Sequence, residues 1–176
     1  MAGLISRPAV VADIPAITAI YAEQVLYGTA TFEVIPPDEG EMAGRMAALT
    51  DGGYPYVAAE RDGRLAGYAY AGAYHRRPAY RNTVEDSIYI ANDCRGQGIG
   101  GLLLRALIDR CTVLGFRQMI ALIGDSQNMA SVRLHRAAGF DPVGTLKSVG
   151  FKHGRWLDVV MMQRALGAGA TRDPDR

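Results

Sequence analysis

Residues 95–100, Arg-Gly-Gln-Gly-Ile-Gly, set three glycines and an arginine between an apolar extended pattern and a strongly periodic helical one. A glycine-rich turn that opens a helix leaves backbone N–H groups unpaired at the positive end of the helix dipole, which makes an anion site. Arg95, Gly96, Gln97, Gly98, Ile99 and Gly100 are therefore expected to hold a phosphate-bearing ligand. Groups suited to proton chemistry lie on either side. Upstream, Thr83 to Ile90 reads as a strand whose alternation puts Glu85, Ser87 and Tyr89 on one face and Val84, Ile88 and Ile90 on the other. Glutamate is depleted in central strands, so Glu85 draws notice, and Asp86 shares parity with the apolar set. Downstream, His135 shares a helix face with Ser131 and Asn128, at spacings i+4 and i+7. An imidazole there can donate a proton or order its surroundings, and Asn128 can also serve as a helix cap.

The glycines admit a rival ligand. Residues 96–101 satisfy G-x-G-x-x-G, and Asp125 stands downstream where a ribose-binding acid would be. Two features weigh against a dinucleotide. The strand ends near Ile90 and leaves Ala91 to Arg95 as a loop, whereas the dinucleotide turn is tight. The upstream chain also reads as hairpins rather than repeated βαβ units.

The elements that must position these groups follow from hydrophobic periodicity and turn chemistry. Leu4 to Ala9 is a short strand, and Asp13 is the expected N-cap of a helix carrying Ile14, Ile17, Tyr21 and Val25. A loop from Tyr27 to Pro37 precedes a second helix capped by Asp38 and ended by Asp51-Gly52-Gly53. Tyr54 to Glu60 and Leu65 to Tyr74 form a hairpin around Asp62-Gly63, a type I′ signal. A basic, aromatic connector, residues 74–81, leads to the Thr83–Ile90 strand. The helix after the glycines runs to about Gly115 with Ile99, Leu102, Leu103, Ala106, Leu107, Cys111 and Leu114 on its buried face. An apolar strand from Met119 to Ile123, a helix from Asn128 to Ala138, and two final strands, Val143 to Phe151 and Arg155 to Gln163, complete the order. One domain over residues 1–166 is expected, with 167–176 a disordered tail.

Composition narrows the function. The net charge of +1 with histidine neutral gives no reason to propose nucleic acid or a membrane surface as partner. No apolar run approaches a membrane span, and the N-terminus lacks a signal pattern. The two cysteines, Cys94 and Cys111, fit neither a metal site nor a disulfide framework, which points to a reducing cytoplasm and no metal.

Arg95, Gly98 and Gly100, read as R-x-x-G-x-G, resemble the pyrophosphate loop of the GNAT N-acetyltransferases, which cradles the diphosphate of acetyl-CoA. Four further segments, residues 77–81, 83–90, 134–140 and 149–158, together with Thr31-Phe32-Glu33, resemble one subfamily, the phosphinothricin/methionine sulfone (sulfoximine) acetyltransferases. The resemblance implies an α+β fold, a mixed and mostly antiparallel sheet flanked by helices, with a bulge near the 83–90 strand that would re-aim Asp86. It implies a cytoplasmic homodimer that moves an acetyl group from acetyl-CoA to the α-amine of a small amino-acid analogue. Glu85 matches the general base, while His135 and Tyr89 are candidate acids. Ile88, Tyr89, Ile90, Asn128 and Ser131 would join the glycine loop in holding the cofactor. Thr31, Phe32, Glu33, Arg77, Tyr80, Arg81 and Lys152 would meet the substrate, with arginine forks suited to a carboxylate and a tetrahedral phosphinyl or sulfonyl group. Acetylation of a peptide or other amine, and a non-catalytic acyl-CoA-binding module, are the competing functions.

Overall fold

A computed structural model of the chain describes residues 3–174. Seven strands form one sheet in the order β1-β2-β3-β4-β5-β7-β6: β1 is Leu4–Pro8, β2 Tyr56–Arg61, β3 Arg64–Ala73, β4 Thr83–Ile90, β5 Gln118–Gly124, β6 Asp141–Lys152 and β7 Arg155–Ala165. Only β4 and β5 run parallel, joined by α3, Ile99–Val113, which lies against β2, β3 and β4. The other long helices are α1, Ile14–Tyr27, α2, Glu39–Asp51, and α4, Met129–Ala137. Element order and fold class are those expected from the sequence.

Local chemistry accounts for most boundaries. Asp38 Oδ1 accepts from the Glu41 backbone N–H at 2.8 Å and starts α2. Asp62 and Gly63 take φ of 54° and 76°, the type I′ turn that closes β2 on β3. Asp13 is the N-cap residue of α1 as expected, but its side chain makes no cap bond to that helix. Its carboxylate is taken by Arg7 of β1, at 2.7 and 2.8 Å, and by the Val10 N–H, so a short 3-10 turn over Val11–Asp13 precedes α1. Arg7 bridges onward to Glu60 of β2 at 2.8 Å, which holds the sheet edge to the start of α1.

In α3, Ile99, Leu103, Leu107 and Cys111 are buried as the periodicity predicts, and Leu104 and Ile108 are buried beside them. The buried arc is wider than a single stripe because α3 crosses the middle of the sheet. Leu114 lies past the last turn and is exposed. The tail expected to be disordered opens with turns over residues 167–170 in which Gly169 is buried beside Leu166, while residues 175 and 176 lie outside the described residues. Among the described residues no helix is long and apolar enough to cross a membrane.

Two features of β4 set the site. It pairs with β3 without a register shift from Gly67↔Ile90 to Ala73↔Val84. β4 itself carries no bulge; the extra residues fall in β3, at Ala66 opposite β2, and in β6. Asp86 therefore stays on the buried face, a choice that its partner on α4 explains below. Against β5, β4 pairs only from Thr83↔Gln118 to Asp86↔Ala121; beyond that the strands part.

Candidate active site

The parting of β4 and β5 opens a cleft of about 880 Å³. Its walls are Glu85 to Ile90 of β4, Ala121 to Gly124 of β5, the inner face of α4, and the loop that follows α1. One end is the glycine turn. Gly96 and Gly98 have φ of 73° and 81°, and a Cβ on either would stand in open space. Gly98 is the N-cap of α3 and offers no side-chain cap, so the first N–H groups of the helix meet no side chain there. Gly100 serves packing: a Cβ there would lie 3.1 Å from Leu134 and 3.2 Å from Ile90. Ile99 is buried in the core, so only its backbone is free to meet a ligand. Gln97 donates to the Asp93 carbonyl at 3.0 Å, and the Asn92 amide bonds Glu23 of α1, which fixes the turn from both sides.

Arg95, Gly96, Gly98 and Gly100 border the cleft, as do Ile88, Tyr89, Ile90, Asn128 and Ser131. The Asn128 side-chain oxygen accepts from the Ser131 N–H at 3.2 Å and caps α4.

Glu85 stands half-buried on the cleft wall, and among the described residues it makes no ion pair. Burial, reinforced by the neighbouring Asp86 carboxylate, pushes its pKa above the usual glutamate value. That combination, an unpaired carboxylate of raised basicity in a cleft, suits a proton acceptor. The Tyr89 ring stacks on Tyr68 at 5.3 Å and meets Tyr21 edge-on at 5.0 Å. Burial raises its phenol well above 10, so it stays protonated and yields its proton reluctantly. His135 borders the cleft on α4, with Nε2 3.0 Å from Asp86 and Nδ1 2.8 Å from the Ser131 carbonyl.

The residues expected at the substrate divide. Thr31 lines the cleft, and its hydroxyl meets the Tyr21 hydroxyl at 2.9 Å. Glu33 does not: Arg45 of α2 grips its carboxylate at 2.7 and 3.2 Å and Tyr21 donates at 2.9 Å, contacts that hold it below the usual range against the upward push of burial. The Phe32 ring lies against Gly150 of β6, where a Cβ would collide with it. Lys152 is buried, and its ammonium donates to the Gln24 carbonyl at 3.2 Å and the Thr31 carbonyl at 2.8 Å. It clamps the loop over the cleft from the β6–β7 turn rather than facing the cleft. Arg77, Tyr80 and Arg81 are exposed on the connector and lie outside the cleft wall of a single chain, with the Tyr80 ring against Tyr74 and His75.

Wall residues that the sequence did not single out include Tyr70 and Glu23. Tyr70 faces the site because it pairs with Ser87 across the β3–β4 ladder, a register that no single segment reveals. Asp125, the candidate ribose acid of the rival reading, is spent on structure. With φ of 71° it accepts from the Gln127 N–H at 3.0 Å and from Thr29 at 3.2 Å, and it pairs with Arg155.

The Lys152 clamp has a direct consequence. Lys152→Met keeps the stem but takes the ammonium from the Thr31 carbonyl, leaving the Gln24 carbonyl only its bond from the Gly28 N–H, a cost of ~1–3 kcal/mol and roughly 2–12 °C in Tm for a domain of this size. Amide exchange should accelerate over residues 28–33. Unchanged melting and unchanged exchange in that loop would show that the ammonium does not hold it.

The mixed seven-stranded sheet is shared with proteins of known family. The model of the acetyltransferase (GNAT) family matches residues 16–140. The chain belongs to that family and is an N-acetyltransferase. Within the family it is 59% identical to the phosphinothricin N-acetyltransferase of Alcaligenes faecalis, over 93% of this chain and 83% of that protein. It is 42% identical to the L-methionine sulfoximine/L-methionine sulfone acetyltransferase of Pseudomonas paraeruginosa, over 89% and 91%. Among solved structures, a GNAT superfamily phosphinothricin acetyltransferase from Sinorhizobium meliloti in complex with acetyl-CoA superposes with a TM-score of 0.95 at 53% identity, covering 98% of this chain and 94% of that one.

Proposed function

We propose that this enzyme transfers the acetyl group of acetyl-CoA directly to the α-amine of a small amino-acid analogue of the phosphinothricin or methionine sulfone type, with Glu85 as general base. The observation that carries the reading is Glu85 itself, half-buried and, among the described residues, without an ion pair on the wall of a cleft that begins at the glycine turn. The open space before Gly96 and Gly98, at the N-terminus of a fifteen-residue helix, fits the diphosphate of the cofactor. Glu85 takes a proton from the substrate ammonium, and the neutral amine attacks the thioester carbonyl. A backbone N–H near Ile90, past the point where β4 leaves β5, meets the oxyanion. Collapse breaks the carbon–sulfur bond, and the departing thiolate takes a proton from Tyr89, from His135 or from water. The location that fits this chemistry is the cytoplasm.

The same reading includes a homodimer. The β6–β7 hairpin exposes Val143, Leu146, Val149, Phe151 and Trp156, and Tyr80 of the connector shares a groove with Val143. Exposed apolar side chains in such number on one hairpin mark an interface. A second copy seated there brings the connector to the assembled site, where Arg77 and Arg81 grip the substrate anions.

This assigns the connector arginines to the substrate and not to the cofactor. Arg77→Ala and Arg81→Ala are each expected to raise KM for the amino-acid substrate about tenfold to hundredfold and to leave acetyl-CoA binding intact. Arg76→Ala, read as a solvated position, serves as the control. Wild-type KM in all three variants would remove the connector from specificity and move a peptide or other amine ahead as the substrate.

A further inference from the structure

Asp86 is the last residue of β4 paired with β5 before the strands part. It points to the buried side, and its Oδ1 has no hydrogen-bond partner while Oδ2 faces His135 Nε2 at 3.0 Å. Both side chains are almost wholly enclosed, at 2% and 4% exposure. The other ring nitrogen, Nδ1, lies 2.8 Å from the Ser131 carbonyl. A carbonyl oxygen only accepts, so Nδ1 carries a proton; Nε2 then faces a carboxylate, and a second proton must lie between them. Burial alone would discharge the ring, but the Asp86 carboxylate and the Ser131 carbonyl together hold its pKa above the usual value, which puts that proton on His135.

Among the described residues the surroundings leave no other source of positive charge. Facing the pair are Glu85 on β4, the thiol of Cys111 on α3, pushed up to about 12 by burial and by Asp86, the Ser131 hydroxyl on α4, and the edge of the Phe140 ring at 5.0 Å. None of these is a cation. An Asp86 carboxylate without the His135 proton would be a lone buried anion, a costly arrangement.

We propose that Asp86 is a positioning residue of the transfer reaction: it keeps the His135 imidazole doubly protonated and locked, and so ties α4, with Asn128 and Ser131, to the strand that carries Glu85. His135 is then a fixed part of the cleft floor, and its protons are committed to Asp86 and Ser131. Of the three donors open to the departing thiolate, this leaves Tyr89 or water. The effect on turnover rests on the acetyltransferase reading of the cleft; the charge state of the pair does not.

The test is a nitrogen-15 titration of the His135 ring in the full-length wild-type chain, beside Asp86→Asn and Asp86→Glu. In the wild type both ring nitrogens should remain protonated past the ordinary imidazole midpoint of ~6.5. In Asp86→Asn the ring should be neutral at neutral pH, with kcat lowered about tenfold to hundredfold. Asp86→Glu, which keeps the charge, should recover the protonated ring and part of the rate. A wild-type ring that titrates near ~6.5 overturns the proposal, as does a folded Asp86→Asn with wild-type kcat. Should the asparagine variant fail to fold, the wild-type titration decides alone. Absence of turnover with every amine would remove the substrate reading and leave that titration standing as the test of the pair.

Discussion

Glu85→Gln is expected to lower kcat by about 10²–10⁴-fold, the range that a positioned general base supplies. The same substitution should stabilise the fold at neutral pH. Burial and Asp86 raise the Glu85 pKa in the folded chain above its unfolded value, so the contribution of this group to stability is full below the unfolded pKa and is lost as pH rises through the folded one. Above that window the charged form is disfavoured by folding, and glutamine removes the burden. A rise in Tm at neutral pH together with the fall in kcat is therefore the expected pair of results, the raised Tm fading as pH drops into the carboxylate range. In the wild type, kcat/KM should decline on the acid side at a pH above the usual glutamate value, and the glutamine variant should lose that limb. Full activity of the variant across the neutral range would take Glu85 out of the mechanism.

Gly98→Val is expected to cost about 10²-fold or more in acetyl-CoA affinity while the domain still folds. Two physical effects act together. The position has φ of 81°, which a β-branched residue adopts only under strain of ~1–3 kcal/mol. The open space before Gly98 is also where the diphosphate would approach the N-terminus of α3, and a valine side chain fills it. Calorimetry of CoA binding to a variant shown to be folded by circular dichroism measures the loss. Unchanged affinity would mean that the turn is only a turn, and NADH binding to the wild type would return the dinucleotide reading.

The features legible in the sequence are the ones that local chemistry determines. Asp38 and Asn128 cap their helices, Asp62-Gly63 closes its hairpin, and the glycines at 96 and 98 take left-handed conformations at the mouth of α3. Alternation along β4 puts Glu85, Ser87 and Tyr89 on one face; all three border the cleft, but so do Asp86, Ile88 and Ile90 of the other face, because beyond Asp86 the strand leaves β5. What escaped the sequence depends on contacts across the fold. Asp86 has the parity of a core residue, and a carboxylate there invited a bulge to turn it out; the structure keeps it in because His135, 49 residues away, satisfies it. Lys152 resembled a substrate cation, yet the carbonyl of Thr31, 121 residues distant, is what it holds. Asp13 holds the N-cap position, but its carboxylate is taken by Arg7 on the neighbouring strand. In each case a charged side chain was assigned by its neighbours in sequence and claimed by a partner that only the tertiary structure supplies.

The measurement closest to the central claim is release of free CoA thiol from acetyl-CoA by the wild-type chain, compared across methionine sulfone, methionine sulfoximine, phosphinothricin, ordinary amino acids and a short peptide with a free N-terminus. The expected result is rapid thiol release with the tetrahedral analogues, mass spectrometry placing one acetyl group on the α-amine, and little release with the peptide. Thiol release driven only by the peptide, or by none of the amines, would contradict it.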